Sequence, residues 1–123
     1  MKPSKAVVLV GHGSRRAGFQ KAMEKVALRI QRRRRYGTVV CAYFEIASPS
    51  VPEALLSLAA SGCRHVRVLP YFLQLGRHVQ EDLPKIVAAA RRKHRRMKIT
   101  LCPYLGYHDK IASVAEERLR ETA

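Results

Sequence analysis

Tryptophan is absent from this 123-residue chain, and cysteine, methionine and acidic residues are scarce. The three cysteines, Cys41, Cys63 and Cys102, are odd in number, widely spaced and set among apolar residues. This usage is typical of free thiols in a reducing compartment and argues against a disulfide framework or a structural zinc site. No apolar run approaches the roughly 20 residues of a membrane-spanning helix, and the short run after Lys5 predicts a strand, not a secretory signal. We therefore expect a cytoplasmic protein without a membrane partner.

The shortage of acidic residues leaves 9 Asp and Glu against 24 Lys and Arg, a formal net charge of +15. Such a charge attracts anions, whether nucleic acid, phosphate or a polycarboxylate. Much of it lies in two runs, residues 32–35 and residues 91–96. Both runs fall at the carboxyl ends of predicted helices, where cations interact favourably with the helix dipole. We interpret them as solvated helix ends without a partner of their own.

The apolar fraction of 47% excludes a disordered chain, and the length predicts one domain over residues 1–123. Short apolar or β-branched runs predict strands, and apolar residues at helical spacing predict helices between them. The predicted strands cover residues 5–10, 38–46, 65–70 and 98–102. The predicted helices cover residues 19–30, 51–59, 83–90 and 111–119. This βαβαβαβα pattern predicts an α/β fold, a doubly wound four-stranded parallel sheet with helices on both faces.

Two histidines occupy matching positions after predicted strands. His12 lies in the sequence Gly-His-Gly-Ser directly after the first strand, and His78 lies in Gly-Arg-His shortly after the third. Glu45 lies at the end of the second strand, where an acidic residue is costly unless it is paired or used. In a small doubly wound sheet the first strand commonly lies between the second and third. We therefore expect these three side chains to share one site at the carboxyl edge of the sheet.

Two imidazoles and a carboxylate favour one of two chemistries. They can hold a divalent first-row metal loosely, or they can move protons near neutral pH. As a structural alternative, Glu45 binds loop amides or an arginine such as Arg77. The other histidines are weaker candidates, since His65 and His94 are interpreted as structural or solvated and His108 as a cap of the last helix.

Other sites have little support in the sequence. The glycines around His12 form neither a P-loop nor a dinucleotide fingerprint, and Ser14 does not lie in a Gly-x-Ser-x-Gly elbow. The aromatic residues lie mostly in or beside strands and are not interleaved with the arginine runs, so a nucleic-acid partner is not expected.

Five short motifs together resemble the short sirohydrochlorin chelatases, a family of class II chelatases. They are Gly-His-Gly-Ser-Arg at 11–15, Glu-Ile-Ala-Ser-Pro-Ser at 45–50, Leu-Pro-Tyr-Phe-Leu at 69–73, Gly-Arg-His at 76–78 and Asp-Leu-Pro at 82–84. The resemblance implies a chelatase-like half that inserts Co(II), Fe(II) or Ni(II) into sirohydrochlorin, with no permanently bound cofactor. It places the family's active-site histidines on His12 and His78, as metal ligands or bases, and its acidic residue on Glu45.

The resemblance also implies substrate contacts and an assembly. The substrate is a polycarboxylate, so a positive cleft would attract and orient it. Arg15, Arg16 and Arg77 are the expected contacts, and Ser14 and Tyr71 of the motifs are added to them. Longer family members contain two such halves, so the resemblance implies a homodimer. The alternative from a different class is a small basic flavodoxin-like module that binds anions or RNA without catalysis.

Overall fold

Four strands and four α-helices alternate along residues 4–122, the part of the chain that this computed structural model describes. The strands are β1 (Lys5–Gly11), β2 (Thr38–Tyr43), β3 (His65–Pro70) and β4 (Lys98–Leu101). The helices are α1 (Lys21–Arg32), α2 (Val51–Ala60), α3 (Leu83–Lys93) and α4 (Asp109–Arg120), and a π-helical turn (His78–Asp82) precedes α3. Residues 1–3 and 123 of the predicted domain lie outside the described residues.

All the strand pairs are parallel, and the order across the sheet is β2-β1-β3-β4. The predicted doubly wound fold is confirmed, including the position of β1 between β2 and β3. Val8 of β1 lies opposite Val40 on one side and Val68 on the other. The carboxyl ends of these three strands therefore meet at one edge of the sheet.

Strand β1 is buried on both faces, which is why its sequence is continuously apolar. Val8 and Val10 belong to a larger core with α2 and α3, whereas Val7 and Leu9 pack in a second cluster with α1. The central strand is therefore held from both sides, and its carboxyl end is a firm base for the loop that follows.

The predicted second strand is too long at its carboxyl end. β2 stops at Tyr43, whose amide donates to the carbonyl of Pro49, and the chain then turns, with Ile46 at a φ of 71°. The prediction of strand for residues 44–46 was wrong because apolar and aromatic content cannot distinguish a strand from the apolar loop that leaves it. Glu45 consequently lies in a loop, with its side chain half exposed.

Helix α2 begins with a capping box. The Ser50 hydroxyl accepts from the Glu53 amide at 3.2 Å, and the Glu53 carboxylate accepts from the Ser50 amide at 2.7 Å. These bonds satisfy backbone donors that have no partner within the helix. They fix the point where the loop carrying Glu45 becomes helical.

Helix α4 forms at the predicted place but does not pack as an amphipathic helix of a globular domain does. None of its residues is buried, and Val114 and Leu119 are 50% and 71% exposed. His108 precedes it as predicted and caps it, because its Nδ1 accepts from the Lys110 amide at 3.1 Å. No helix among residues 4–122 is both long and apolar enough to cross a membrane.

The basic runs lie at the ends of α1 and α3, but they are not wholly without partners. The guanidinium of Arg91 donates from Nε and Nη2 to the Ile99 carbonyl, at 3.0 and 2.8 Å. Arg91 is exposed, as a solvated helix end would be, and its bonds to Ile99 within the chain also tie α3 to the edge strand β4. Helices that connect parallel strands end near the amino ends of those strands, so both runs lie opposite the edge that carries His12.

Candidate active site

Backbone hydrogen bonds hold the loop after β2 beside the loop after β1. The Phe44 amide donates to the Gly11 carbonyl at 3.1 Å, and the Glu45 amide donates to the His12 carbonyl at 3.2 Å. These bonds continue the ladder between β1 and β2 past the end of the regular strands. They place Glu45 next to His12 as a direct consequence of the strand order.

His78 reaches the same edge from the end of β3 through residues 71–77. It begins the π-helical turn, and its ring is held on two sides. Phe44 stacks on the ring at a centroid distance of 4.4 Å and an interplanar angle of 16°. The Nδ1 atom lies 2.9 Å from Oδ2 of Asp82, one helical turn further on.

The three predicted side chains converge. One carboxylate oxygen of Glu45, Oε1, lies 3.8 Å from Nε2 of His12 and 3.7 Å from Nε2 of His78. The two imidazole rings have centroids 4.8 Å apart. His12 and Glu45 are 60% and 54% exposed and His78 is 33% exposed, so the cluster opens to solvent.

This geometry suits a divalent metal. One ligand atom from each of the three residues lies within 4.8 Å of the others. Imidazole nitrogen and carboxylate oxygen bind Zn²⁺ at about 2.0 to 2.2 Å, and two ligands on one ion then lie at most about 4.4 Å apart. The cluster would have to close by only a few tenths of an ångström. Three exposed ligands leave coordination positions free, which is characteristic of catalytic or transient sites and not of closed structural ones.

An open cleft of about 550 Å³ lies beside the two histidines. Its walls are mostly apolar, and Leu73 and Leu75 are 58% and 53% exposed there. Its lining residues are His12, Phe72, Leu73, Gln74, Leu75, Gly76, Arg77, His78 and Val79. An apolar concavity with imidazoles and an arginine at its rim is suited to a flat, partly apolar ligand with anionic substituents.

The predicted substrate contacts lie at different distances from this cleft. Arg77 lines it, and Arg15 and Arg16 are exposed in the loop that follows His12. Ser14 lies in the same loop, where its hydroxyl accepts from the Arg16 amide at 3.1 Å. Tyr71 is partly buried and packs with the cluster on the α1 face of the sheet. Their roles remain predictions, as do the catalytic roles of His12, Glu45 and His78.

The side chain of Glu45 does not make the contact with Arg77 that the structural alternative named. Arg77 pairs with Glu81 at 3.6 Å, whereas the ion-pair contacts of Glu45 are those to the two histidines.

The weaker histidine candidates lie elsewhere. His65 contacts the Thr100 hydroxyl at 3.3 Å, and its pKa is lowered by burial and by neighbouring cations, chiefly Arg67.

Three residues at the site were missed by the sequence interpretation: Phe44, Phe72 and Asp82. Phe72 meets the His12 ring edge-on at a centroid distance of 6.4 Å. The sequence interpretation named Asp82 only as part of the Asp-Leu-Pro motif, but its side chain contacts His78 and makes no capping bond to α3. Its position four residues after a candidate histidine was the available signal, since residues at this spacing share a helix face.

The thiols take no part in this cluster. Cys41, Cys63 and Cys102 are free, and among residues 4–122 none of them joins a group of metal-ligating side chains. Burial raises the pKa of the Cys41 and Cys102 thiols. Such thiols stay protonated near neutral pH and are poor metal ligands.

Comparison with known proteins finds relatives of this chain. The sirohydrochlorin cobaltochelatase of Methanopyrus kandleri is 39% identical over 82 residues, which cover 67% of this chain and 57% of that protein. The enzyme of the same name from Saccharolobus solfataricus is 29% identical over 122 residues and 94% of each chain. A solved CbiX protein from Marinobacter aquaeolei VT8 is 26% identical, with a TM-score of 0.76 over 95% of this chain and 98% of that one.

The chain spans between 51% and 62% of the length of six of the curated relatives it matches. The sequence model of the CbiX family matches residues 6–122, which include every residue of the cluster. The chain therefore belongs to the CbiX family.

Proposed function

We propose that this chain is a metal chelatase that inserts a divalent metal ion into sirohydrochlorin. Co(II) is the favoured metal, with Fe(II) and Ni(II) as alternatives. The observation that carries the proposal is the convergence of His12, Glu45 and His78 within 4.8 Å at the mouth of an apolar cleft. The names of the relatives support the same substrate.

The metal is a substrate here, and no permanently bound cofactor is proposed. Imidazole nitrogens and a carboxylate oxygen replace part of the water around the incoming ion. Their exposure leaves the other coordination positions to the pyrrole nitrogens. Because the cluster has only three ligands, the metal can leave it as the macrocycle takes over.

Insertion also releases two protons from the pyrrole nitrogens of the macrocycle. A neutral imidazole is a suitable acceptor near neutral pH. His12 and His78 are the candidate bases, and Glu45 between them stabilises the imidazolium that forms. Cluster and cleft are adjacent, so metal delivery and proton removal take place on one face of the ring.

The cleft walls bind the macrocycle in this scheme. Phe72, Leu73 and Leu75 contact the ring, while Arg77 with Arg15 and Arg16 attracts its carboxylates. Ser14 and Tyr71 are also proposed as contacts, although neither lines the cleft. Binding energy from the carboxylates would hold the ring puckered with its nitrogen lone pairs exposed.

We propose further that the active form is a homodimer in which α4 binds the second copy. Helix α4 exposes apolar side chains. On β3, the side chains of one face, such as Leu69, are only partly buried, whereas Val66 and Val68 on the opposite face are fully buried. Residues 109–121 carry four acidic and three basic side chains in a chain of net charge +15. The nearly neutral helix is therefore the part of one copy that a second basic copy repels least.

Two remaining parts of the proposal concern location and the alternative function. Three free thiols support a reducing cytoplasm as the location. The alternative, a basic module that binds anions or RNA, is not favoured, because both arginine runs lie at the edge of the sheet opposite the cluster. The arginine runs and the histidine cluster therefore do not lie on one continuous surface.

The test is anaerobic mixing of the protein with sirohydrochlorin and Co(II), Fe(II) or Ni(II), followed by the Soret absorption of the macrocycle. We expect a protein-dependent change that His12→Ala and His78→Ala each reduce more than tenfold, equivalent to about 1.4 kcal/mol of barrier. Glu45→Gln should reduce it less. His94→Ala, at the opposite edge of the sheet, is the matched control. A histidine variant that keeps more than about a tenth of the wild-type rate would refute the role of that residue.

A further inference from the structure

The two histidines of the cluster are held very differently. The His78 ring is stacked on Phe44 and has a carboxylate 2.9 Å from its Nδ1. His12 is 60% exposed, and among the described residues its one ion-pair contact is Glu45 at 3.8 Å. The structure therefore constrains the orientation of the His78 ring far more than that of the His12 ring.

The carboxylate that holds His78 belongs to Asp82. Asp82 lies at the end of the π-helical turn that His78 begins, four residues later. Its Oδ2 atom faces Nδ1, on the opposite edge of the ring from Nε2, which faces Glu45 at 3.7 Å. A carboxylate can only accept, so the hydrogen bond at 2.9 Å requires the proton on Nδ1 of a neutral ring.

We propose that Asp82 is the positioning residue of this site, which sets the His78 tautomer so that an unprotonated Nε2 is presented to the incoming metal. The proposal rests on the chelatase function, since it assigns His78 as the fixed metal ligand. A histidine that ligates a metal generally donates its other N–H to a carboxylate or carbonyl, and loss of that acceptor commonly weakens metal binding by about 10- to 100-fold. The π-helical turn provides this spacing, and Phe44 prevents the ring from rotating away.

The contact with Asp82 also gives His78 a different role from His12. With its Nδ1 proton directed to Asp82, His78 offers only Nε2 to the cluster. His12 has no comparable acceptor among residues 4–122 and can reorient between metal and macrocycle. We therefore assign His78 as the fixed ligand and His12, which is 60% exposed, as the base that accepts the two pyrrole protons in turn and passes each to solvent.

Nitrogen-15 NMR of the imidazole rings tests the tautomer without any chelatase assay. Spectra are recorded above the range in which imidazoles titrate, and the His78 signals are assigned by their loss in His78→Gln. We expect the wild-type proton on Nδ1, a mixture of both tautomers in Asp82→Ala, and an unchanged tautomer in Glu81→Gln. The last variant removes the neighbouring carboxylate of the same turn and is the matched control. A wild-type proton on Nε2, or no change in Asp82→Ala, would overturn the proposal.

Kinetics supply the second measurement. Asp82→Ala should raise the KM for Co(II) about tenfold and leave the KM for sirohydrochlorin unchanged, and Asp82→Glu should recover part of the loss. An equal rise in both KM values, or a KM for Co(II) within twofold of wild type, would contradict a positioning role. The wild-type tautomer is measured without Asp82→Ala, so the proposal stays testable if that variant does not fold. Full activity of His12→Ala and His78→Ala would instead refute the chelatase site and leave the tautomer result intact.

Discussion

Gly13 is the residue through which the two loops of the site touch. Its φ is 104°, a conformation that residues with a Cβ rarely adopt, and a Cβ at this position would collide with the Glu45 carbonyl oxygen. The glycine therefore lets the backbone after His12 lie against the backbone of Glu45. The distance between the His12 and Glu45 side chains therefore depends on the glycine at position 13.

Gly13→Ala should both destabilise the protein and misplace the cluster. We expect a loss of about 2 kcal/mol or more in the free energy of unfolding, because a left-handed backbone and a backbone collision are imposed together. Urea denaturation measures it, and the rate of metal insertion should fall in parallel.

Gly76→Ala is the matched control for stability. Gly76 lies in the loop after β3 that leads to His78, has no positive φ, and nothing lies within 4 Å of the position that a Cβ would take. Its unfolding free energy should stay within about 0.5 kcal/mol of wild type. If the two alanine variants are equally stable, the close approach of Gly13 to Glu45 does not require a glycine at position 13.

At the scale of elements, the start of α2 determines where the Glu45 loop ends. The capping box both terminates the loop and fixes the first turn of the helix that packs on β1. Hydrogen bonds from the Ser50 backbone and hydroxyl groups hold the pKa of Glu53 below its usual value. The charged form of this carboxyl group is thus favoured by folding.

A pKa that is lower in the folded protein implies a defined pH dependence of stability. The contribution of Glu53 is fully present above the pKa of the unfolded chain and is lost as the pH falls through the lower folded pKa. We expect Glu53→Gln to be less stable than wild type near neutral pH, with a difference that shrinks below about pH 4. Urea denaturation across this range, with Glu117→Gln as the control, measures it. A difference that stays constant with pH would show that the charge of Glu53 does not stabilise the helix.

At the scale of the whole molecule, positive charge is spread over both edges of the sheet. The arginine runs lie at the edge away from the cluster, and only Arg15, Arg16 and Arg77 stand near it in the sequence. A net charge of +15 still raises the local concentration of a polycarboxylate around the whole protein. The same charge opposes the association of two copies, so an interface must avoid the arginine runs.

Helix α4 is the expected centre of that interface. Sedimentation at moderate salt should give about twice the chain mass of 13.9 kDa. Val114→Glu and Leu119→Glu should shift the protein to a monomer and reduce metal insertion, because a charge is costly at a buried apolar contact. Leu28→Glu on α1, where the side chain is 47% exposed, should leave the dimer intact. A wild-type monomer with full turnover would contradict the homodimer.

Local residue patterns were enough to predict the elements of this protein and their order. Short apolar or β-branched runs marked the strands, and apolar residues at helical spacing marked the helices between them. Strand order followed as well, because parallel strands joined by right-handed helical crossovers leave few arrangements. The meeting of His12, Glu45 and His78 was therefore predictable to the level of an edge of the sheet.

Only the tertiary structure decided the details on which the site depends. The end of β2 at Tyr43 and the stacking of Phe44 on His78 depend on contacts between segments far apart in the chain. The contact of Asp82 with His78 depends on the π-helical turn that these two residues bound. A single sequence reports local preferences, and at these positions several conformations are locally acceptable. Packing chose among them, and so determined which imidazole is held in place and which is left free to turn.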